Sequence, residues 1–169
     1  MSGAPAVSIV MGSDSDLETM KEAATILKKF GVAYEVRVLS AHRSPNLMTA
    51  YVQEAERTGV KVFIAGAGAA AALPGAVAAL TSRPVLGVPL PSSHLQGLDA
   101  LLAIAQLPAG TPAATLAIGV PGARNAAYLA VQILGVADEK LHAAYAAFKV
   151  EQERAIGAKD ADARAKHSG

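Results

Sequence analysis

Val60-Lys61-Val62-Phe63-Ile64-Ala65, running directly into Gly66-Ala67-Gly68-Ala69-Ala70-Ala71-Ala72-Leu73-Pro74-Gly75, decides the fold. The first six residues are nearly all apolar, whereas a strand with one wetted face alternates between apolar and polar. They read as a strand buried on both faces, the signature of a parallel sheet covered by helices. The Gly/Ala segment then opens a helix over residues 73–80, so strand passes to helix through a loop with almost no side chains.

The same strand-to-helix unit recurs on both sides of this stretch. Upstream, residues 6–11 form a short apolar strand that stops at Gly12. Leu17, Met20, Ala24 and Leu27 then recur at helical spacing, which predicts a helix over 17–30 ended by Gly31. Residues 34–39 alternate as a second strand, and 46–58 follow as a helix. Pro45 suits that helix's first turn, where its missing N–H costs nothing. Downstream, the pattern predicts strands at 85–88 and 115–118 and helices at 97–107 and 122–134. Asp138 caps a last helix whose apolar positions include Leu141, Tyr145 and Phe148. Polarity rises beyond it, and residues 159–169 read as a frayed tail.

Strands and helices alternate without linker, repeat or low-complexity block, which implies one parallel sheet with helices on both faces. Right-handed crossovers then favour an α/β three-layer sandwich with a doubly wound parallel five-stranded sheet and an added C-terminal helix. The flavodoxin-like order 2-1-3-4-5 puts the switch point between strands one and three. That order gathers the loops after strands one, two and three along one edge.

Bulk properties narrow the function. The chain has 169 residues, long enough for one domain with a real core. Its 52% hydrophobic content is rich in alanine, which suggests close-packed helices and surface buried between subunits. With no cysteine, disulfides, thiolate chemistry and cysteine-based zinc sites are excluded. A net charge of +1 without a basic run argues against nucleic acid as a partner. No apolar run approaches the ~20 residues of a membrane span, and Met1-Ser2-Gly3-Ala4-Pro5 does not resemble a signal peptide. The expectation is a cytoplasmic protein acting on a small molecule, with no membrane partner.

Chemistry concentrates in three loops. Gly12-Ser13-Asp14-Ser15-Asp16 combines a tight turn with hydroxyls that can join helix N–H groups around an anion. A carboxylate such as Asp16 would repel phosphate but accept hydrogen bonds from sugar hydroxyls. An ordinary helix cap fits the same loop. Ser40-Ala41-His42-Arg43-Ser44-Pro45 places an imidazole beside a fixed cation at a strand's carboxyl end. A histidine can exchange protons near neutral pH, and an arginine can hold phosphate or carboxylate. His94, His142 and His167 have no such setting. The Gly66–Gly75 loop lets a ligand approach the backbone closely. It also fits G-x-G-x-x-A, yet Gly87-Val88-Pro89-Leu90 stands where a dinucleotide site needs an acidic residue. Walker, H-E-x-x-H and G-x-S-x-G signatures are absent.

Together these loops closely resemble the 5-(carboxyamino)imidazole ribonucleotide mutase family of purine biosynthesis, class I type. The resemblance runs from Val7 to Glu153. It is carried by Val10-Met11-Gly12-Ser13-Asp14-Ser15-Asp16, Ser40 to Pro45 and Ala65-Gly66-Ala67-Gly68, with support from Leu86-Gly87-Val88-Pro89, Leu116-Ala117-Ile118-Gly119 and Asn125-Ala126-Ala127. It implies a single mutase-like domain, set at residues 1–158 ahead of the flexible tail at 159–169, and assembly as an octamer. It also implies a reaction without metal or organic cofactor, in which a carboxylate moves from the exocyclic nitrogen to carbon 4 of an aminoimidazole ribonucleotide. His42 would be the catalytic acid and base. Ser13, Asp16 and Arg43 match the family's substrate-binding positions, with Ser15 and Ser40 in support. The backbone around Ala67, Gly68 and Ala69 would line the base and CO2 pocket.

The third loop departs from the family's usual Ala-Gly-Ala-Gly-Gly-Ala-Ala-His-Leu-Pro-Gly. Ala69 stands for glycine and Ala72 for histidine, and Pro91 replaces a common glutamine. Two alternatives to the mutase stay open. One is direct carboxylation of aminoimidazole ribonucleotide by CO2. The other is a non-catalytic phosphoribosyl-ligand binding protein.

Overall fold

A computed structural model describes residues 4–167. The chain divides into two compact units, residues 1–130 and 131–169. The first unit holds the sheet, in the order β2-β1-β3-β4-β5 with every neighbouring pair parallel. Its strands are β1 (Val7–Met11), β2 (Tyr34–Val38), β3 (Val62–Gly68), β4 (Val85–Leu90) and β5 (Ala114–Thr115). Between them run α1 (Leu17–Lys29), α2 (Pro45–Thr58), α3 (Ala72–Ala78) and α4 (Leu98–Ala105). The helix α5 (Val120–Gly135) follows β5, and α6 (Glu139–His167) lies in the second unit.

Right-handed crossovers assign the layers. The step from β1 to β2 runs one way along the sheet, and all later steps run the other way, so α2, α3 and α4 share the face that α1 leaves open. The side chains agree. Met48, Tyr51, Val52 and Ala55 of α2, Val77 of α3 and Ile104 of α4 pack in one buried cluster with Val10, Phe63, Ala65 and Val85 of the sheet. On the other face, Met20 of α1 lies so close to β3 that a Cβ on Gly66 would stand 2.4 Å from its sulfur. Glu22 of α1 and Arg124 of α5 form an ion pair at 2.8 Å, so these two helices lie side by side. β1, β3 and β4 are buried almost throughout, as their unbroken apolar runs require.

Two polar devices inside this frame are specific. Ser8, fully buried on β1, shares a 2.5 Å hydrogen bond with the Tyr51 hydroxyl of α2. Burial is the main force that pushes the Tyr51 phenol above its ordinary range, and the Arg37 guanidinium lies 4.2 Å over its ring. At the end of α2, Glu56 accepts hydrogen bonds from Thr81 Oγ1 at 2.5 Å, Ser82 Oγ at 2.6 Å and the Ser82 amide at 3.3 Å, with Arg83 Nε at 3.4 Å. It therefore ties α2 to the α3–β4 connection, and the Ser82 and Thr81 hydroxyls hold its carboxyl below the usual range. A depressed carboxyl stabilises the fold above its unfolded pKa, and that contribution is lost as pH falls through the folded value. Glu56→Gln is expected to cost ~1–2 kcal/mol at neutral pH in urea unfolding, and less in acid.

Several boundaries differ from the sequence expectation for identifiable reasons. β3 begins at Val62, not 60, because the Val60 amide closes the end of α2 on the Ala55 carbonyl (2.9 Å) across Gly59, whose φ is +119°. β3 ends at Gly68, because Ala67 and Gly68 pair with Pro89 and Leu90 of an equally extended β4. β5 has only two ladder residues, and the chain follows β4 beyond it through Leu116 N–H to Gly87 O and Gly119 N–H to Pro89 O.

The segment read as a frayed tail belongs to α6, which is helical to His167. Asp138 caps it as expected, accepting from the Lys140 and Leu141 amides. Ion pairs Asp160–Arg164 (2.9 Å) and Asp162–Lys166 (2.8 Å), each acid-before-base at i,i+4, support the segment expected to fray. Ser168 and Gly169 lie outside the described residues. Among those described, no helix is long and apolar enough to cross a membrane.

Candidate functional site

The carboxyl ends of β1, β2, β3 and β4 surround one cavity of about 330 Å³. Its position is that of a ligand site in an open α/β sheet, outside the strand ends at the switch between β1 and β3. Of the residues singled out from sequence, Ser13, Ser15, Asp16, Ser40, His42, Arg43, Ala67 and Gly68 all line it. They come from three loops separated in the chain, and the sheet order brings them together.

Ser13 precedes a short 3-10 turn (Asp14–Asp16), and this turn leads directly into α1. The Ser13 hydroxyl accepts from the Ser15 amide at 3.3 Å and from the Ser15 hydroxyl at 2.9 Å. Both serines are thereby held on one polar surface. The loop is a helix cap as well as a cavity wall, so the two readings of its sequence are compatible.

The second loop is braced from within. The Ser40 amide donates to Ser44 Oγ at 3.0 Å, the Ser44 hydroxyl donates back to the Ser40 carbonyl at 3.1 Å, and the Ser44 amide reaches the same carbonyl at 3.0 Å. Ser44 thus spends its hydroxyl on the loop and does not cap α2 with it. Ala41, His42 and Arg43 form the turn that this brace encloses. Ser40 Oγ accepts from the Arg43 amide at 3.1 Å and from Nε at 3.4 Å. The guanidinium extends to the Gly12 carbonyl, 2.6 Å from Nη2, and so bridges the loops after β1 and β2. Among the described residues, the exposed His42 side chain makes no hydrogen bond or ion pair, leaving its ring nitrogens for a ligand.

Asp16 is the electrostatically perturbed group of the site. Burial pushes its carboxyl above the usual range and Asp14 adds to the rise, while the Ser13 backbone, the Ser15 side chain and the Arg43 charge pull against it. A raised carboxyl means the folded state disfavours the charge. Stability is therefore greatest below the unfolded pKa and falls as pH rises through it to the folded value. Asp16→Asn is expected to melt at a higher temperature than the parent near neutral pH, with the difference vanishing below about pH 4. Active sites keep such destabilising groups for function.

In the third loop Ala69 is exposed and lies outside the cavity lining, which Ala71, Ala72 and Leu73 form there. Ala69 and Ala71 both take left-handed conformations, at φ +50° and +42°, and the chain turns over between Gly68 and α3. Each alanine there costs ~1–2 kcal/mol that glycine would not. Sequence reading also missed Ser92, just past the end of β4. The rule that strand carboxyl ends carry ligand contacts, applied to the fourth strand, would have found it.

The fold and this site define an α/β domain with a cavity at the strand carboxyl ends, lined by an imidazole, a guanidinium, a carboxylate and several hydroxyls. Comparison with known proteins narrows that class. The profile of the AIR carboxylase family matches residues 6–155. An N5-carboxyaminoimidazole ribonucleotide mutase from Saccharolobus solfataricus is 58% identical, over 81% of this chain and 85% of that protein. One from Mycobacterium tuberculosis is 51% identical, over 94% of this chain and 90% of its own. Among solved structures, PurE of Treponema denticola superposes with a TM-score of 0.84 at 27% identity, covering 98% of this chain and 99% of that one. The chain belongs to the AIR carboxylase family.

Proposed function

We propose that the protein is an enzyme of purine biosynthesis, an isomerase that converts 5-(carboxyamino)imidazole ribonucleotide to 4-carboxy-5-aminoimidazole ribonucleotide. The observation that carries this reading is the meeting of His42 with Ser13, Ser15, Asp16, Ser40 and Arg43 around a single cavity. The mutase names of relatives above 50% identity support it.

In this reading Arg43 and the serines take the phosphate, as a planar cation flanked by hydroxyls suits an anionic oxygen cluster. Asp16 accepts hydrogen bonds from the ribose hydroxyls. Ala67 and Gly68 admit the base and the CO2 formed beside it. The bond from the exocyclic nitrogen to the carboxylate breaks, releasing CO2, and the electron pair left on nitrogen takes a proton from His42. Carbon 4 of the ring then attacks CO2, and His42 removes the ring proton from that carbon. Proton uptake and release balance on one imidazole. Keeping CO2 in the cavity replaces a dilute encounter with an intramolecular one.

A second reading is favoured by the family's own description, AIR carboxylase: direct addition of CO2 to aminoimidazole ribonucleotide. Assays with the carboxyamino substrate, and in parallel with aminoimidazole ribonucleotide plus bicarbonate, separate the two. The mutase reading expects efficient turnover of the first only, and the reverse pattern would replace it. Ligand binding without turnover of either would make the protein a phosphoribosyl-ligand binder.

Assembly as an octamer in the cytoplasm completes the proposal. Val36, Val38 and Leu47 around the β2 edge and Leu95, Leu98 and Leu102 around α4 are large apolar side chains left exposed in one protomer, which supports burial between subunits. Light scattering on the purified chain tests the number.

A further inference from the structure

Ser92 differs from every other side chain around the cavity. Along the carboxyl edge of the sheet, β2 and β1 lie on one side and β3 and β4 on the other. The β1 and β2 loops supply the charged groups and three hydroxyls. The β3–α3 segment supplies Ala67, Gly68, Ala71, Ala72 and Leu73, none with a polar side-chain atom. On that side Ser92 is the one described lining residue whose side chain can donate a hydrogen bond.

Its position is built. The register sets Gly68 against Leu90, and the Ser92 amide donates to the Leu90 carbonyl at 2.9 Å, which turns the chain back over β3. The Ser92 side chain then rests on the α-carbon of Gly68. A Cβ added there would stand 1.7 Å from Ser92 Oγ and 2.7 Å from Ser92 Cβ, so only glycine at 68 leaves the serine its place. Among the described residues the hydroxyl itself is in no hydrogen bond.

We propose that Ser92 is a specificity-determining residue whose hydroxyl donates to the carboxylate of the bound ribonucleotide. The inference rests on the functional reading above. With the phosphate held by Arg43 and the serines near β1 and β2, a ligand lying along the sheet edge brings its second anionic group to the β3–β4 side. Ser92 is exposed at the cavity rim, and on that side no other described lining side chain can pair with a carboxylate. Its hydroxyl supplies the donor, and the site thereby distinguishes carboxylated from uncarboxylated ligand.

Calorimetric titration of the full-length protein and of Ser92→Ala with two ligands tests this. The ligands are 4-carboxy-5-aminoimidazole ribonucleotide and the uncarboxylated aminoimidazole ribonucleotide. The variant is expected to bind the carboxylated ligand about 10-fold more weakly, consistent with one hydrogen bond to a charged group, and the uncarboxylated one within about 2-fold of the parent. An equal loss on both ligands would mark a purely structural serine and overturn the proposal, as would no loss on either. If the parent protein binds neither ribonucleotide, the functional reading itself fails and takes this inference with it.

Discussion

Replacing His42 with Asn is expected to lower kcat on the order of 10³-fold while leaving the affinity for the ribonucleotide within about 3-fold. General acid–base groups usually contribute about 10²- to 10⁴-fold. His42 sits towards the upper part of that range because both proton transfers in the proposed reaction pass through it. Asn keeps roughly the size and polarity of the ring, and the turn around it survives because Ser40 and Ser44 brace that turn without using the imidazole. Steady-state kinetics set beside calorimetry with the product read both halves of the expectation. Near-parental turnover would remove His42 from the chemistry. A matching loss of affinity would make it a binding residue only.

Arg43→Ala is expected to raise KM about 100-fold with a much smaller change in kcat, because a hydrogen-bonded charge on phosphate acts equally on ground and transition states. Arg43 does more than offer a charge. Its Nη2 reaches the Gly12 carbonyl at 2.6 Å and its Nε lies 3.4 Å from Ser40 Oγ, so the guanidinium also joins the loops after β1 and β2. Arg43→Lys should therefore recover only part of the loss, since an ammonium keeps the charge without the planar fork. An unchanged KM in Arg43→Ala would place the phosphate elsewhere. Because Arg43 is exposed, neither substitution should lower the melting temperature by more than a few degrees.

How far the fold could be read in advance depended on which force set each element. β1, β3 and β4 are buried on both faces, and hydrophobicity alone marks such strands. The sheet order then followed from crossover handedness. Ala67 and Gly68 carry no strand signal, since neither residue favours a strand, yet the Pro89 and Leu90 backbone pairs with them. Residues 159–167 looked too polar to persist as structure. Their i,i+4 ion pairs act within one helix, which apolar periodicity does not detect.

At the site, His42, Arg43, Ser13 and Asp16 were visible because unusual residue types clustered at strand ends. Ser92 was not, because a serine in a loop carries no signal until the ladder brings it onto Gly68. Ala69 misled for the converse reason. It sits inside a recognised motif, but its residue type gives no sign of the left-handed backbone it shares with Ala71 or of its exposure.

The central claim is that one cavity breaks the nitrogen–carboxylate bond and returns the same CO2 to carbon 4. A single turnover with ¹³C in the transferred carboxylate, run in excess unlabelled bicarbonate, tests it most directly. Retention of most of the label in the product's C4 carboxylate is predicted. Dilution of the label to the level of the bicarbonate pool would contradict intramolecular transfer.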